Sequence, residues 1–377
     1  MIDNVDIFSY PRCNDRLLLS VFPIAMDTGC DMRIVLASSF VPFVHGGGRF
    51  IVEWLETKLQ EHGHEVERFY LPFVDRPDDL FDQIMAFRLI DLSDSCDRLI
   101  AFRAPAYVLP HPNKVLWFIH HIRALYDLWD SAYRFVPDTP SGRAFREILV
   151  ELDNRTIREA KHVFSNSKVV SERLRRFNSV VATPLYPPIL APERFRNDGY
   201  SDEIVVVCRV EPHKRQWLLV DAMKYVRTGV KLRLCGASMN SSAVDEIRKS
   251  ITQYGLTDRV TFENRWISED EKVERLAPAL AVAYLPIDED SYGYSSLEAA
   301  HARKAVLTTT DAGGVLELVE HEVNGLVVPP SSQAIADAMD RLYLDKAGAA
   351  RMGVANEQRV SELGIDWSTV IDSLTTA

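Results

Sequence analysis

The sequence predicts an α/β protein of two doubly wound, Rossmann-like parallel sheets that face each other across a cleft. Three observations carry this prediction. Short, continuously apolar runs alternate with segments of helical period along most of the chain, as buried parallel strands and their crossover helices do. The alternation is interrupted by a proline-rich run and then restarts. The length, 377 residues, suits two domains of roughly 150–200 residues better than one core.

Residues 1–31 show no clear periodicity and read as an extension ahead of the first strand. "MRIVLASSFVP" (Met32 to Pro42) then reads as a buried strand running into a loop, and "GGGRFIVEWLETKLQEHGHEV" (Gly46 to Val66) as a glycine-rich turn and helix stopped by Gly63. "HEVERFYL" begins a second strand, which completes a right-handed βαβ unit. "CDRLIAF" and "KVLWFIH" read as strands, "FREILVELDNRTIREA" (Phe145 to Ala160) as a helix and "HVFSNS" as another strand. "VVATPLYPPILAPERF" (Val180 to Phe195) holds four prolines and reads as the linker. The first domain is therefore expected over residues 32–195.

The pattern restarts with the strand "EIVVVCRV" and the helix "QWLLVDAMKYV". Strands follow at "VKLRLCG", "RVTFENRW", "LAVAYLP", "AVLTTT" and "NGLVVPP", separated by helical stretches. The second domain is expected over residues 196–346. Residues 347–377 read as a helical tail, broken near Gly364, that packs back toward the first domain.

Composition narrows the function classes. Hydrophobic residues make up 47% and charged residues 26%, which excludes a disordered or fibrous chain. "LLLSVFPIAM" is too short to span a bilayer and lacks the flanks of a signal peptide. The five cysteines have neither metal-like nor redox-like spacing, which suits the reducing cytoplasm. A net charge of −11 argues against a nucleic-acid partner. The basic patch "SERLRRF" (Ser171 to Phe177) reads as a solvated helix face, with peripheral contact at the inner face of a membrane left open. "HGH" (His62 to His64) reads as a turn, and G-x-G-x-x-G fails because Ile51 stands at the third glycine.

The chemistry concentrates in "DEDSYGYSSLE" (Asp288 to Glu298). One reading is structural: Ser295 and Glu298 form a capping box. The other is chemical. A helix start after a glycine presents free N–H groups to an anion, and Gly293 has no side chain to obstruct a phosphate. Glu298, one turn in, could accept from a ribose diol, and Asp290 could hold sugar hydroxyls at the far end.

With these residues in place, the chain resembles the family 4 glycosyltransferases of the GT-B fold. The resemblance is carried by the acid–seven residues–Glu motif from Asp290 to Glu298, by the following "DAGGVLELVEHEVNGLVVPP", and by the Arg-x4-Lys segment in "CRVEPHKR". It covers roughly residues 32–377. It implies a retaining transferase that moves a hexose from a nucleoside diphosphate sugar to a glycan, lipid-linked or small-molecule acceptor, as in cell-surface polysaccharide or glycoconjugate synthesis. It also implies no metal and no cofactor, with Arg209 and Lys214 neutralising the leaving diphosphate. The implied donor contacts are Gly47, Gly48, Arg209, Lys214, Asp290, Gly293, Ser295, Ser296, Leu297 and Glu298. "WFIHHIRALYDLW" resembles a subgroup in which His120 lies near the transferred sugar, with His121, Arg123 and Tyr126 toward the acceptor. "FENRWIS" is expected beside the base. The first motif acid is usually Glu in the family and is Asp290 here, so Glu289 competes for the role. A non-catalytic binding partner, or an epimerase or phosphorylase on the same fold, is the alternative.

Overall fold

The computed structural model describes residues 31–377 except 44–45, 75, 132 and 239; the extension expected at the N-terminus lies, but for Asp31, outside the described residues. Residues Met32–Ala377 form one compact unit that carries two parallel sheets. The first contains β1 (Arg33–Phe40), β2 (Glu65–Pro72), β3 (Arg98–Ala101), β4 (Lys114–Phe118), β5 (His162–Ser165) and β6 (Thr183–Pro184), in the order β2-β1-β3-β4-β5-β6. The second contains β7 (Glu203–Val207), β8 (Lys231–Cys235), β9 (Val260–Glu263), β10 (Ala281–Ala283), β11 (Val306–Thr309) and β12 (Gly325–Val328), in the order β12-β11-β10-β7-β8-β9. The strand order reverses at β1/β3 in one sheet and at β7/β10 in the other. Such switch points open crevices at the carboxyl ends of the strands.

The first sheet is accompanied by α1 (Gly47–Glu61), α2 (Pro77–Arg88), α3 (Pro140–Ile157) and α4 (Lys168–Asn178). The second carries α5 (Gln216–Ala222), α6 (Ser241–Gln253), α7 (Glu269–Leu276), α8 (Tyr294–His301), α9 (Val315–Leu318), α10 (Ser332–Leu344) and α11 (Lys346–Glu362), and α12 (Trp367–Thr376) closes the chain. In α1, Ile51, Val52, Leu55 and Leu59 form the buried stripe that helical spacing dictates. Helix α3 begins five residues before the apolar run at Phe145, because Thr139 caps it by accepting from the Gly142 N–H and Pro140 occupies its first turn.

Two expectations are corrected here. The proline-rich run is no mere linker: it contributes β6 at the sheet edge, where a missing N–H is tolerated, and buries Leu185, Tyr186 and Ile189. The basic patch on α4 is not wholly solvated. Arg175 pairs with Glu172 at the surface, but Arg173 is only 8% exposed and faces the second sheet's loops.

Val370, Ile371 and Leu374 of α12 join the same apolar cluster as Ile34, Leu36, Ile51 and Leu55. Arg98 fixes the helix end through bonds to Leu374 O (2.6 Å) and Ala377 O (2.7 Å). Fully burying an aliphatic side chain stabilises by roughly 1.5–3 kcal/mol, so the last helix is part of the first sheet's core. Among the described residues, no helix is long and apolar enough to cross a membrane.

Candidate functional site

A cavity of about 410 Å³ lies between the carboxyl ends of the two sheets. Ser39, Gly46 to Gly48, Tyr70, Arg103, His120 and Asn166 line it from the first half; Arg209, Lys214, Trp266, Lys272, Glu289 to Ser295 and Glu298 line it from the second.

The second-half wall is built on the turn after β7 and the start of α8. Arg215, in left-handed backbone geometry (φ 54°), turns its guanidinium inward to Leu285 O, Pro286 O, Thr309 and Asp311. That staple leaves its neighbour Lys214 facing the cavity, where Nζ donates to Tyr284 Oη at 2.7 Å and pairs with Glu289. Arg209 is half exposed and stands across from the glycine loop; a Cβ on Gly46 would come within 3.7 Å of Arg209 Nε.

The capping box expected at Ser295 and Glu298 does not form. Helix α8 starts at Tyr294, and its N-cap is Gly293 with no side-chain cap. Gly293 has φ 70°, and a Cβ there would lie 2.4 Å from the Tyr284 ring, so the turn requires glycine. The Ser295 hydroxyl donates instead to Val207 O, tying α8 to β7. Glu298 is 3% exposed and accepts from Lys272 Nζ at 2.6 Å. Burial pushes its carboxyl up, and Lys272 pulls it back down only in part. The capping box that does form is at Ser268 and Glu271, opening α7. It places Lys272 one residue on, where it bridges Glu269 and Glu298.

Not every expected α8 contact reaches the cavity. Leu297 is fully buried in the core beneath the helix. Ser296 and Leu297 both donate their amides back to Gly293 O (3.1 and 3.4 Å), and Ser296 is fully buried with its hydroxyl making no bond. Gly293, Ser295 and Glu298 do line the cavity.

At the other end of the motif, Asp290 meets cations from the first half: Arg173 in close contact and Arg123 Nη1 at 3.3 Å. Asp288 accepts from the same two side chains, at 2.5 Å from Arg123 and 2.9 Å from Arg173. Burial raises the Asp290 carboxyl, but Arg123, His120 and Arg173 together hold it below its ordinary value. The same seam is closed by Glu317 of α9, which accepts the Lys168 and Val169 N–H groups at the start of α4 (2.9 and 2.8 Å). Glu289 and Asp290 both line the cavity and divide the work. Glu289 serves Lys214; Asp290 serves the arginines.

His120 sits opposite. Its Nδ1 donates to His121 O at 2.7 Å, which leaves Nε2 as the unprotonated nitrogen of a neutral ring. Burial, with Arg103 and Arg123 nearby, lowers its pKa against the pull of Asp290.

The three expected acceptor residues do not line the cavity. His121 is 1% exposed, bonded to Asn178 and packed on Tyr126 and Phe118; burial brings its pKa down to about 4. Tyr126 is buried with its hydroxyl on Asp153. Both side chains point back from the strand end into the first core. Arg123 is spent on Asp127, Asp288 and Asp290. Conversely, Arg103, Arg173 and Lys272 were not anticipated: Arg173 and Lys272 matter through partners farther along the chain, and Arg103 lies in no motif. Among the described residues, no group of three or more His, Cys, Asp or Glu is placed to hold a metal ion.

Residues 192–359 match the family described as glycosyl transferases group 1. The human alpha-1,3/1,6-mannosyltransferase ALG2 is 24% identical over 71% of this chain and 68% of its own length. A GDP-mannose-dependent phosphatidylinositol monomannoside mannosyltransferase of Mycobacterium tuberculosis is 28% identical over 52% of this chain and 56% of its own length. The chain thus spans little more than half of some relatives. Among solved structures, sucrose-phosphate synthase of Thermosynechococcus elongatus superposes with a TM-score of 0.71 at 20% identity, covering 91% of this chain and 97% of that one. HepE of Anabaena, crystallised with UDP and glucose, gives a TM-score of 0.66 at 20% identity over 92% and 100%.

Proposed function

We propose that the chain is a glycosyltransferase of the group 1 type on the GT-B fold, which moves a hexose from a nucleoside diphosphate sugar to an acceptor hydroxyl with retention at the anomeric carbon. The observation that carries this reading is the shared cavity. Two cations, an open helix start and a buried carboxylate converge there from one half, facing a neutral histidine from the other.

In this scheme Glu298, oriented by Lys272, accepts from the ribose hydroxyls. Arg209, Lys214 and the α8 start take the diphosphate. The bond from anomeric carbon to phosphate oxygen breaks, the bond to the acceptor oxygen forms on the same face, and the acceptor proton passes to the departing phosphate. Charge develops on that phosphate, so fixed cations there lower the barrier more than they aid ground-state binding. His120 positions the transferred sugar. The seam of Arg123, Arg173 and Glu317 holds the halves together and keeps water out. The mannosyltransferase names among the relatives make GDP-mannose the first donor to test, and the UDP complex of HepE makes UDP-glucose the second. The enzyme would draw on these donors in the cytoplasm, for glycoconjugate or polysaccharide synthesis.

The test is donor turnover without acceptor. Slow release of free sugar from one nucleotide sugar, abolished in Lys214→Ala, is expected. Binding of a nucleotide with no turnover of any sugar donor, with or without sugar acceptors, would favour a non-catalytic binding protein.

A further inference from the structure

We propose that the acceptor carries a phosphate group, received by Arg103 and Tyr70 on the first-half wall of the cavity. This rests on the transferase reading above and adds the chemical class of acceptor to it.

Arg103 follows β3, at the switch point of the first sheet. Its Nε donates to Ser39 O (3.2 Å) and approaches Ser39 Oγ (3.1 Å), and that hydroxyl donates onward to Ala104 O at 2.7 Å. One edge of the guanidinium is thereby fixed. The two terminal nitrogens bond to no described residue, and among the described residues no carboxylate stands within ion-pair distance. The neighbouring arginines differ: Arg49 pairs with Glu53, Arg68 with Glu53 and Glu56, and Arg123 with three aspartates. In a chain with 54 acids and 43 cations, a cation left unpaired in a cavity is the exception. Burial lowers its pKa, and among its charge contacts only Tyr70 offsets that. An arginine fork held this way suits a phosphate that arrives with the substrate.

Two further groups point the same way. The Tyr70 hydroxyl is buried without a hydrogen bond, although Arg68 lies over its ring at 5.9 Å. Burial pushes its pKa up to about 12, so it stays a donor. Asn166 Oδ1 is likewise buried and unbonded, ready to accept from a sugar hydroxyl. Gly48 opens the approach, since a Cβ there would lie 3.5 Å from Arg103 Nη1. The donor diphosphate already has Arg209 and Lys214 on the opposite wall. Arg103 also acts on His120 electrostatically, so the phosphate would sit close to the hydroxyl that reacts.

The experiment is calorimetry on the full chain saturated with its best nucleoside diphosphate. The probes are mannose 6-phosphate, phosphatidylcholine vesicles carrying a polyprenyl-phosphate-linked sugar, methyl mannoside and glucuronic acid. At least one phosphorylated probe is expected to bind about tenfold or more tighter than methyl mannoside, the scale of a charge-assisted hydrogen bond. The soluble and vesicle arms decide which source carries the phosphate. Arg103→Gln is expected to erase the preference and Arg103→Lys to keep part of it. The proposal is overturned if no phosphorylated probe outbinds methyl mannoside or if glucuronic acid binds best. It is also overturned if Arg103→Gln weakens nucleotide and probes alike, which would assign Arg103 to the donor. Failure of every nucleotide to bind the parent protein would instead sink the transferase reading itself.

Discussion

The two carboxylates that bound the motif, Asp290 and Glu298, stand eight positions apart on one loop and helix, yet the fold treats them oppositely. Glu298 is neutralised within its own half by Lys272, and its pKa is raised. Asp290 is neutralised across the cleft by Arg123 and Arg173, and its pKa is lowered. The first arrangement exists however the two halves sit. The second exists only when they meet. One acid is therefore built into the nucleotide wall, while the other reports and enforces closure.

The comparison can be broken from either end. The largest effect is expected for Lys272→Met, which leaves Glu298 buried without its cation. Removing one partner of a buried pair costs about 3–5 kcal/mol, to be read as a lower urea midpoint, and nucleotide affinity should fall with it. An unchanged midpoint would mean that Glu298 takes up a proton at no cost.

Arg173→Ala is expected to act on catalysis more than on stability. Asp290 keeps Arg123, so unfolding should shift by only about 1–3 kcal/mol, the cost of an unsatisfied buried acceptor. Donor turnover should fall by about tenfold or more as closure weakens, while nucleotide affinity stays within a few-fold. A Lys replacement should restore part of the turnover.

Acid sharpens the contrast. For Glu298, raised in the fold, the folded state holds its proton to higher pH, so its contribution favours folding at low pH and is lost as pH rises. For Asp290, lowered in the fold, the contribution is present above the ordinary carboxylate range and is lost as pH falls. Nucleotide affinity should therefore weaken on acidification before the seam opens. Parallel titration of nucleotide binding and of protease sensitivity between the halves would detect the order, and the reverse order would contradict it.

The smallest effect belongs to Glu317→Gln. It removes the charge at the start of α4 and replaces one of the two oxygens that accept from the Lys168 and Val169 amides with an NH2 group. A loss of about 1–2 kcal/mol, from the charge and one hydrogen bond, is expected from thermal unfolding.

Apart from β6, which lies in the run read as a linker, both sheets were legible because most of their strands are short apolar runs. The second half of the site was legible because its residues lie within local motifs: Arg209 to Lys214 on one turn, Asp290 to Glu298 on another. Local pattern misled at "SSLE", where the spacing of a capping box is present but Gly293 takes the cap and both side chains turn to β7 and α7. It also misled at His121 and Tyr126, which flank the cleft in sequence but rotate into the core. Arg103 and Lys272 sit in stretches with no motif, and Arg173 sits in a basic patch that reads as a solvated face. Their meaning lies in a missing partner, in carboxylates more than a hundred positions away, and in a glutamate across a helix pair.

The most direct measurement is calorimetric affinity for the preferred nucleoside diphosphate in Glu298→Gln and Asp290→Asn side by side. Glu298→Gln is expected to lose tenfold or more in affinity, on the scale of about 1.5–3 kcal/mol for a hydrogen bond to a charged group. Asp290→Asn should bind the nucleotide within a few-fold of the parent and lose sugar transfer instead. Equal losses in both, or a larger loss in Asp290→Asn, would contradict the division between a nucleotide wall and a closure seam.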